Sequence, residues 1–196
     1  MNWYNEIPSS TPLAQGDILF SCSIYKPKFV SINKENIEES EVELDLYRQN
    51  VVILSQACDL EQGKLNEILV ASVYDIQTLP IRIKKDATKE EIINQRWSTV
   101  KEILSDKRPN FYIMGKHDSE NQKLHTTYLI VDFSTLFTIP LTVLDVIREI
   151  HGPRLQLNVP HRELLNQKYA GFISRIGIPK NDSLNEDEIK ALIKGI

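Results

Sequence analysis

A chain of 196 residues, 41% apolar and 26% charged, is long enough to bury a core of its own and has an ordinary composition for a globular domain. Its formal net charge of -4 and pI near 5.6 exclude a chain-wide basic footprint for nucleic acid, while leaving room for a local basic patch. No apolar run reaches the ~18 residues a membrane helix needs, and the opening MNWYNEIPSS lacks the basic-then-apolar order of an export signal, so the expectation is a cytoplasmic protein with no membrane partner.

Ile18, Phe20, Cys22 and Ile24 alternate with Leu19, Ser21 and Ser23, the period of a half-buried strand. Residues 26–41 hold Pro27 and many Lys, Glu and Asn and read as a flexible hairpin loop. Alternation returns over 42–47, and 51–55 is an apolar run that ends in a small polar cluster, Ser55-Gln56-Ala57-Cys58-Asp59. Residues 61–64 form a turn in which Gly63 can take positive φ. Residues 68–73 are again apolar. Short strands at close spacing point to an antiparallel barrel or sandwich. Val52, Ile53, Leu54, Leu69, Phe20 and Ile130 are its expected core.

A helix over 88–105 interrupts the strands. Thr88 and Glu91 form a capping box, and Ile93, Trp97, Val100 and Leu104 make one apolar stripe. Residues 110–114 and 127–133 return to strand. Residues 140–150 read as a short helix and 154–158 as a last strand. Pro160 opens another helix, with Leu165, Tyr169, Phe172 and Ile176 on its packing face and Gly177 and Pro179 as its stop. A final helix is expected at 185–194.

Three of these segments together resemble the PemK/MazF toxins. Gly16-Asp17-Ile18 looks like the opening strand of that family, 51–55 like its apolar strand ending in Leu-Ser, and 68–74 like a later strand. The resemblance spans roughly residues 14–135. It implies a mainly β fold with α additions (α+β): a strongly bent SH3-like antiparallel barrel over 1–139, carrying the inserted helix 88–105. A helical annex over 140–196, which the resemblance does not cover, is expected to pack onto it as part of one compact domain.

Toxins of that family cut single-stranded RNA without a metal, and the resemblance implies an Arg and a Thr at the scissile phosphate. The Arg counterpart here is Arg48, seven residues before Ser55 and followed by Gln49 where the toxins have Pro. Tyr74 stands where Thr is expected, with Ser72 two residues earlier. A nuclease would therefore work through Arg48, Ser55 and Ser72. These departures make a non-catalytic binding module the leading reading. In that reading the chain sequesters a protein partner in a prokaryotic antiviral or stress circuit, similar in architecture to an anti-sigma subunit of a CRISPR-associated protease system. Metal-independent RNA cleavage is the alternative.

Gln56, Cys58 and Asp59 are candidates for partner or ligand contact. A catalytic Cys58 would need His117, His125, His151 or His161 as its base. Cys22 and Cys58 are expected as free, buried thiols. No Cys-x-x-Cys or His-x-x-x-His spacing is present, so no metal or other cofactor is expected. Arg148, Arg154, His161, Arg162, Lys168 and Arg175 form a basic strip. Within it, Arg154 and Arg162 are the expected contacts, because Arg162 opposes the dipole at the start of its helix.

Overall fold

The computed structural model describes residues 2–174. The backbone is mixed α+β. Seven strands, β1 Tyr4–Ile7, β2 Asp17–Ser31, β3 Glu41–Ile53, β4 Glu67–Asp75, β5 Phe111–Met114, β6 Leu129–Pro140 and β7 Arg154–Leu157, make one antiparallel sheet in the order β1-β7-β2-β3-β4-β6-β5. The ladder is open, with β1 and β5 at its edges. Among the described residues four helices join it: α1 Ala57–Glu61, α2 Lys89–Leu104, α3 Leu141–His151 and α4 His161–Ile173.

The apolar run at the end of β3 is buried because the sheet is covered on both faces. Successive side chains of a strand point to opposite sides. Val52 and Leu54 therefore join Ile18, Ala71, Val131, Phe133 and Leu155 in one layer, with Leu165 of α4. Val51 and Ile53 join Leu19, Ile68, Val70 and Ile139 in the other, with Leu144 and Ile147 of α3. Ile130 sits in a third cluster with Leu79, Val100 and Ile103 under α2. The expected core residues thus divide among three layers, and Phe20 and Leu69 are only partly buried.

Segment 154–157 is a sheet strand between β1 and β2, and α3 and α4 lie on opposite faces of the sheet, so residues 141–173 are woven into the fold. Leu165 is buried, and Tyr169 and Phe172 pack on Phe133 with ring centroids 5.5 and 6.2 Å away. Ile176, Arg175, the Gly177/Pro179 stop and the helix expected at 185–194 lie outside the described residues.

Helix α2 starts as expected: the Thr88 hydroxyl accepts from the Glu91 N–H, and the Glu91 carboxylate accepts from the Thr88 N–H. Its packing face differs from the expected stripe. Thr99, Val100 and Ile103 are buried, whereas Ile93, Trp97 and Leu104 face solvent. The cluster under α2 is narrow, and Val100 with Ile103 is enough to close it.

The largest departure is at 26–41, expected as a loop. Strands β2 and β3 stay paired from Cys22/Gln49 to Ser31/Glu41, and a 3-10 turn at Ile37–Glu39 lies in the connection. Beyond Ile18, β2 has no second neighbour, and before Asn50, β3 has none. Residues 22–31 and 41–49 are thus a two-stranded arm running out from the sheet. At its root β2 bulges: the register slips between Leu19 and Cys22, Ser21 takes φ 50°, and its N–H donates to Asn50 Oδ1 at 2.9 Å.

Candidate functional site

The Gly16-Asp17 opening is a structural anchor. Gly16 has φ +82°, and a Cβ there would meet Arg162 Cγ at 3.2 Å and Leu157 Cβ at 3.3 Å, so glycine permits both the turn and the close approach of α4. Asp17, fully buried, accepts from Arg154 Nε at 2.6 Å, from the Ala14 N–H at 2.9 Å and from Gln156 Nε2 at 2.7 Å. Arg154 spends its other donors on the carbonyls of Pro8, Thr11 and Pro12. Only 2% exposed, Arg154 has no surface to offer a partner, which corrects the expectation from the basic strip. Burial pushes the Asp17 carboxyl up, while the guanidinium and the other donors pull it down.

Arg162 is half-buried, and its guanidinium reaches Glu163 Oε1 at 3.1 Å, so the adjacent carboxylate answers the cation at this helix start. Lys168 pairs with Asp106 at 2.5 Å.

The polar cluster after β3 leads into a short helix, α1, with Gln56 at its N-cap. Gln56 and Cys58 are exposed and Asp59 is half-buried. Cys58 is therefore not a core thiol; its Sγ lies 3.7 Å from Gln56 Oε1, and no histidine bonds to it. Cys22 is the buried one, its thiol pushed up to about 11 by burial. His117 and Ser119 both meet the same Glu6 oxygen, at 3.0 and 2.6 Å, so the acid sits between them and no nucleophile–base pair forms. Among the described residues no group of three or more His, Cys, Asp or Glu is placed to hold a metal.

Arg48, Ser55 and Ser72 do not converge. Ser55 lies past the end of β3, seven residues from Arg48 along an extended chain, and its Oγ accepts from the Leu69 N–H at 2.9 Å. Ser72 is buried opposite Val51 and Asp132. Arg48 is exposed at the root of the arm, opposite Ser23.

The arm carries the most unusual surface. Cross-strand partners share a face, so Tyr25/Leu46, Pro27/Leu44 and Phe29/Val42 lie on one side, and Lys26/Asp45 and Lys28/Glu43 on the other. The polar side is internally matched in charge. Lys26 Nζ also lies 4.5 Å from the centre of the Phe137 ring of β6, which ties that side to the sheet. The apolar side is left in water: Leu44 is 69% and Tyr25 62% exposed, and Phe29, Val42 and Leu46 are also exposed. Contiguous exposed apolar faces are uncommon on globular proteins, and an isolated two-stranded hairpin is marginal in water. Sequence reasoning missed it. The available signal was the strict alternation of Val42, Leu44 and Leu46 with Glu41, Glu43 and Asp45.

No family model matches the chain, and no curated protein matches it. Among the described residues no helix is long and apolar enough to cross a membrane.

One histidine makes a testable contribution to stability. Trp3 stacks on His161 with ring centroids 3.7 Å apart and planes 10° off parallel, and the indole is also pressed on Gly115, where a Cβ would lie 2.2 Å from Trp3 Nε1. His161 is buried, neither ring nitrogen has a partner, and burial holds its pKa below the ordinary value. The unfolded chain therefore takes up a proton that the native state resists. The stability is present above pH about 6.5 and is lost as pH falls through that value toward the depressed native pKa. Urea titrations of the wild type should show this loss, with a slope of at most about 1.4 kcal/mol per pH unit. His161→Phe, which keeps the stack, should flatten it.

Proposed function

We propose that the chain is a non-catalytic regulatory binding module that holds a protein partner on the apolar face of the β2–β3 arm. In this reading the sheet is an opened, diverged version of the PemK/MazF SH3-like barrel, and the circuit is a prokaryotic antiviral or stress response in which the chain, like an anti-sigma-type subunit, sequesters its protein partner. The observation that carries the proposal is the outward apolar face formed by Tyr25, Pro27, Phe29, Val42, Leu44 and Leu46 on an arm whose other face is charge-matched. Tyrosine and phenylalanine are enriched in the buried centre of protein interfaces, and this face presents Tyr25 and Phe29 among aliphatic neighbours. Both free edges are blunted, β2 by Pro27, Lys26 and Lys28 and β3 by Glu41, Glu43 and Asp45. A second copy adding by like edges would oppose like charges, so a partner covering the face is the better fit.

RNA cleavage is the second reading, favoured by one observation: Arg48 is exposed and forms no ion pair among the described residues. Purified protein incubated with single-stranded RNA and a chelator separates the two. The expected result is intact RNA. Cleavage that leaves a cyclic phosphate and falls by about 10² to 10³ in Arg48→Ala, the usual loss on removing one charge-stabilising donor, would favour the nuclease.

A further inference from the structure

A cleft of about 580 Å³ opens at the root of the arm, where the β2 bulge, β3, the 121–124 turn and the α3–β7 corner meet. Its volume falls within the range of small-molecule sites. Phe20, Leu124 and Ile150 supply apolar wall, and Arg48, Lys123 and His151 supply polar groups. None of the lining residues is acidic. Arg48 and Lys123 are both exposed, and neither forms an ion pair among the described residues. The carbonyls at the end of α3 would repel an anion, but Gly152 turns back at φ +82° to donate its N–H to the Arg148 carbonyl at 3.2 Å.

We propose that this cleft binds a small organic phosphate monoester, its phosphate held by Arg48 and Lys123 and its apolar body against Phe20 and Ile150. The charge count selects the head group. Two uncompensated cations match a phosphate monoester, a dianion above its second pKa of about 6, better than a single carboxylate. A guanidinium also offers phosphate a two-pronged donor fork. The apolar wall selects an ester over free phosphate. The site uses none of the apolar arm residues, although Arg48 lies at the foot of the arm on the same side as Tyr25 and Leu46.

Titration calorimetry and amide chemical shifts, at constant ionic strength and neutral pH, test this with three probes: phenyl phosphate, inorganic phosphate and benzoate. Phenyl phosphate should bind about tenfold or more tightly than either of the others and shift the Ser21, Leu124 and Gly152 amides. Arg48→Ala and Lys123→Ala should each weaken it about tenfold, the loss expected on removing one charge-assisted contact. Ile150→Ser, at an exposed position, should weaken phenyl phosphate while leaving inorganic phosphate unchanged. Equal binding of all three probes, or phenyl phosphate affinity indifferent to Arg48→Ala and Lys123→Ala, would overturn the proposal. So would a single-stranded RNA oligonucleotide that binds through Arg48 and Lys123 while phenyl phosphate leaves the cleft amides unmoved.

Discussion

Replacing Arg154 by methionine should lower the stability of the fold by about 3 to 5 kcal/mol, the usual cost of removing one partner of a buried ion pair. Asp17 would stay buried, holding the Ala14 N–H and Gln156 but no cation. The carbonyls of Pro8, Thr11 and Pro12 would lose the donors that fasten the 8–12 segment to β7. Urea unfolding should show a lower midpoint with an unchanged m-value. The pH dependence gives a second signature. With the guanidinium gone, burial is opposed only by the Ala14 N–H and Gln156, and the native pKa of Asp17 rises further, so the variant should regain stability, relative to wild type, as pH falls through that raised value toward the unfolded one. Adding Asp17→Asn should recover part of the loss at neutral pH. A loss below about 1 kcal/mol in Arg154→Met, far short of the buried-pair cost, would show that the pair is not the anchor described.

Changing Tyr25, Leu44 and Leu46 together to serine should weaken partner binding at least about 30-fold, the effect of losing one interface hot spot of about 2 kcal/mol. Thermal stability should move by only a few degrees, because none of the three is buried. The last buried residue of β2 is Ile24, at the root of the arm, and the first of β3 after the arm is Val51, so the core reaches only the first pairs of the arm and stops short of Tyr25, Leu44 and Leu46. Surface substitutions away from core contacts typically cost within about 0.5 kcal/mol. Interface loss without fold loss is therefore the expected pattern. A variant that binds normally would move the interface elsewhere, with the exposed Ile93 and Trp97 of α2 the next surface to examine.

Elements whose signals are local could be read in the sequence. The Thr88/Glu91 box placed the start of α2, Gly63 took its positive φ, and residues 140–150 and 154–158 correspond to α3 and β7. The apolar run at 51–54 was recognisable as a buried strand, since burial on both faces needs no alternation. Choices between faces were not readable. Period-two alternation across 42–46 says that the strand has an apolar side, not that this side meets water, and Pro27 with its flanking lysines disguised the partner strand as a loop. The stripe on α2 was real, but only Val100 of its four members found a wall to pack on. Arg154 was misread for a different reason. Its partner Asp17 is 137 positions away, and nothing in a basic strip shows which of its members has a buried carboxylate waiting.

The most direct measurement of the central claim uses a chain in which residues 27–44 are replaced by Asn-Gly, closing the hairpin at the Lys26/Asp45 pair. A partner recovered with the full chain from its native host, then purified, is titrated against both proteins while amide hydrogen exchange is followed. The full chain should form a stoichiometric complex in which the amides of 24–31 and 41–49 become protected. The trimmed chain should unfold at the same urea midpoint and show no binding. A trimmed chain that binds that partner with undiminished affinity, or a complex that leaves the arm amides exchanging as fast as before, would contradict the account.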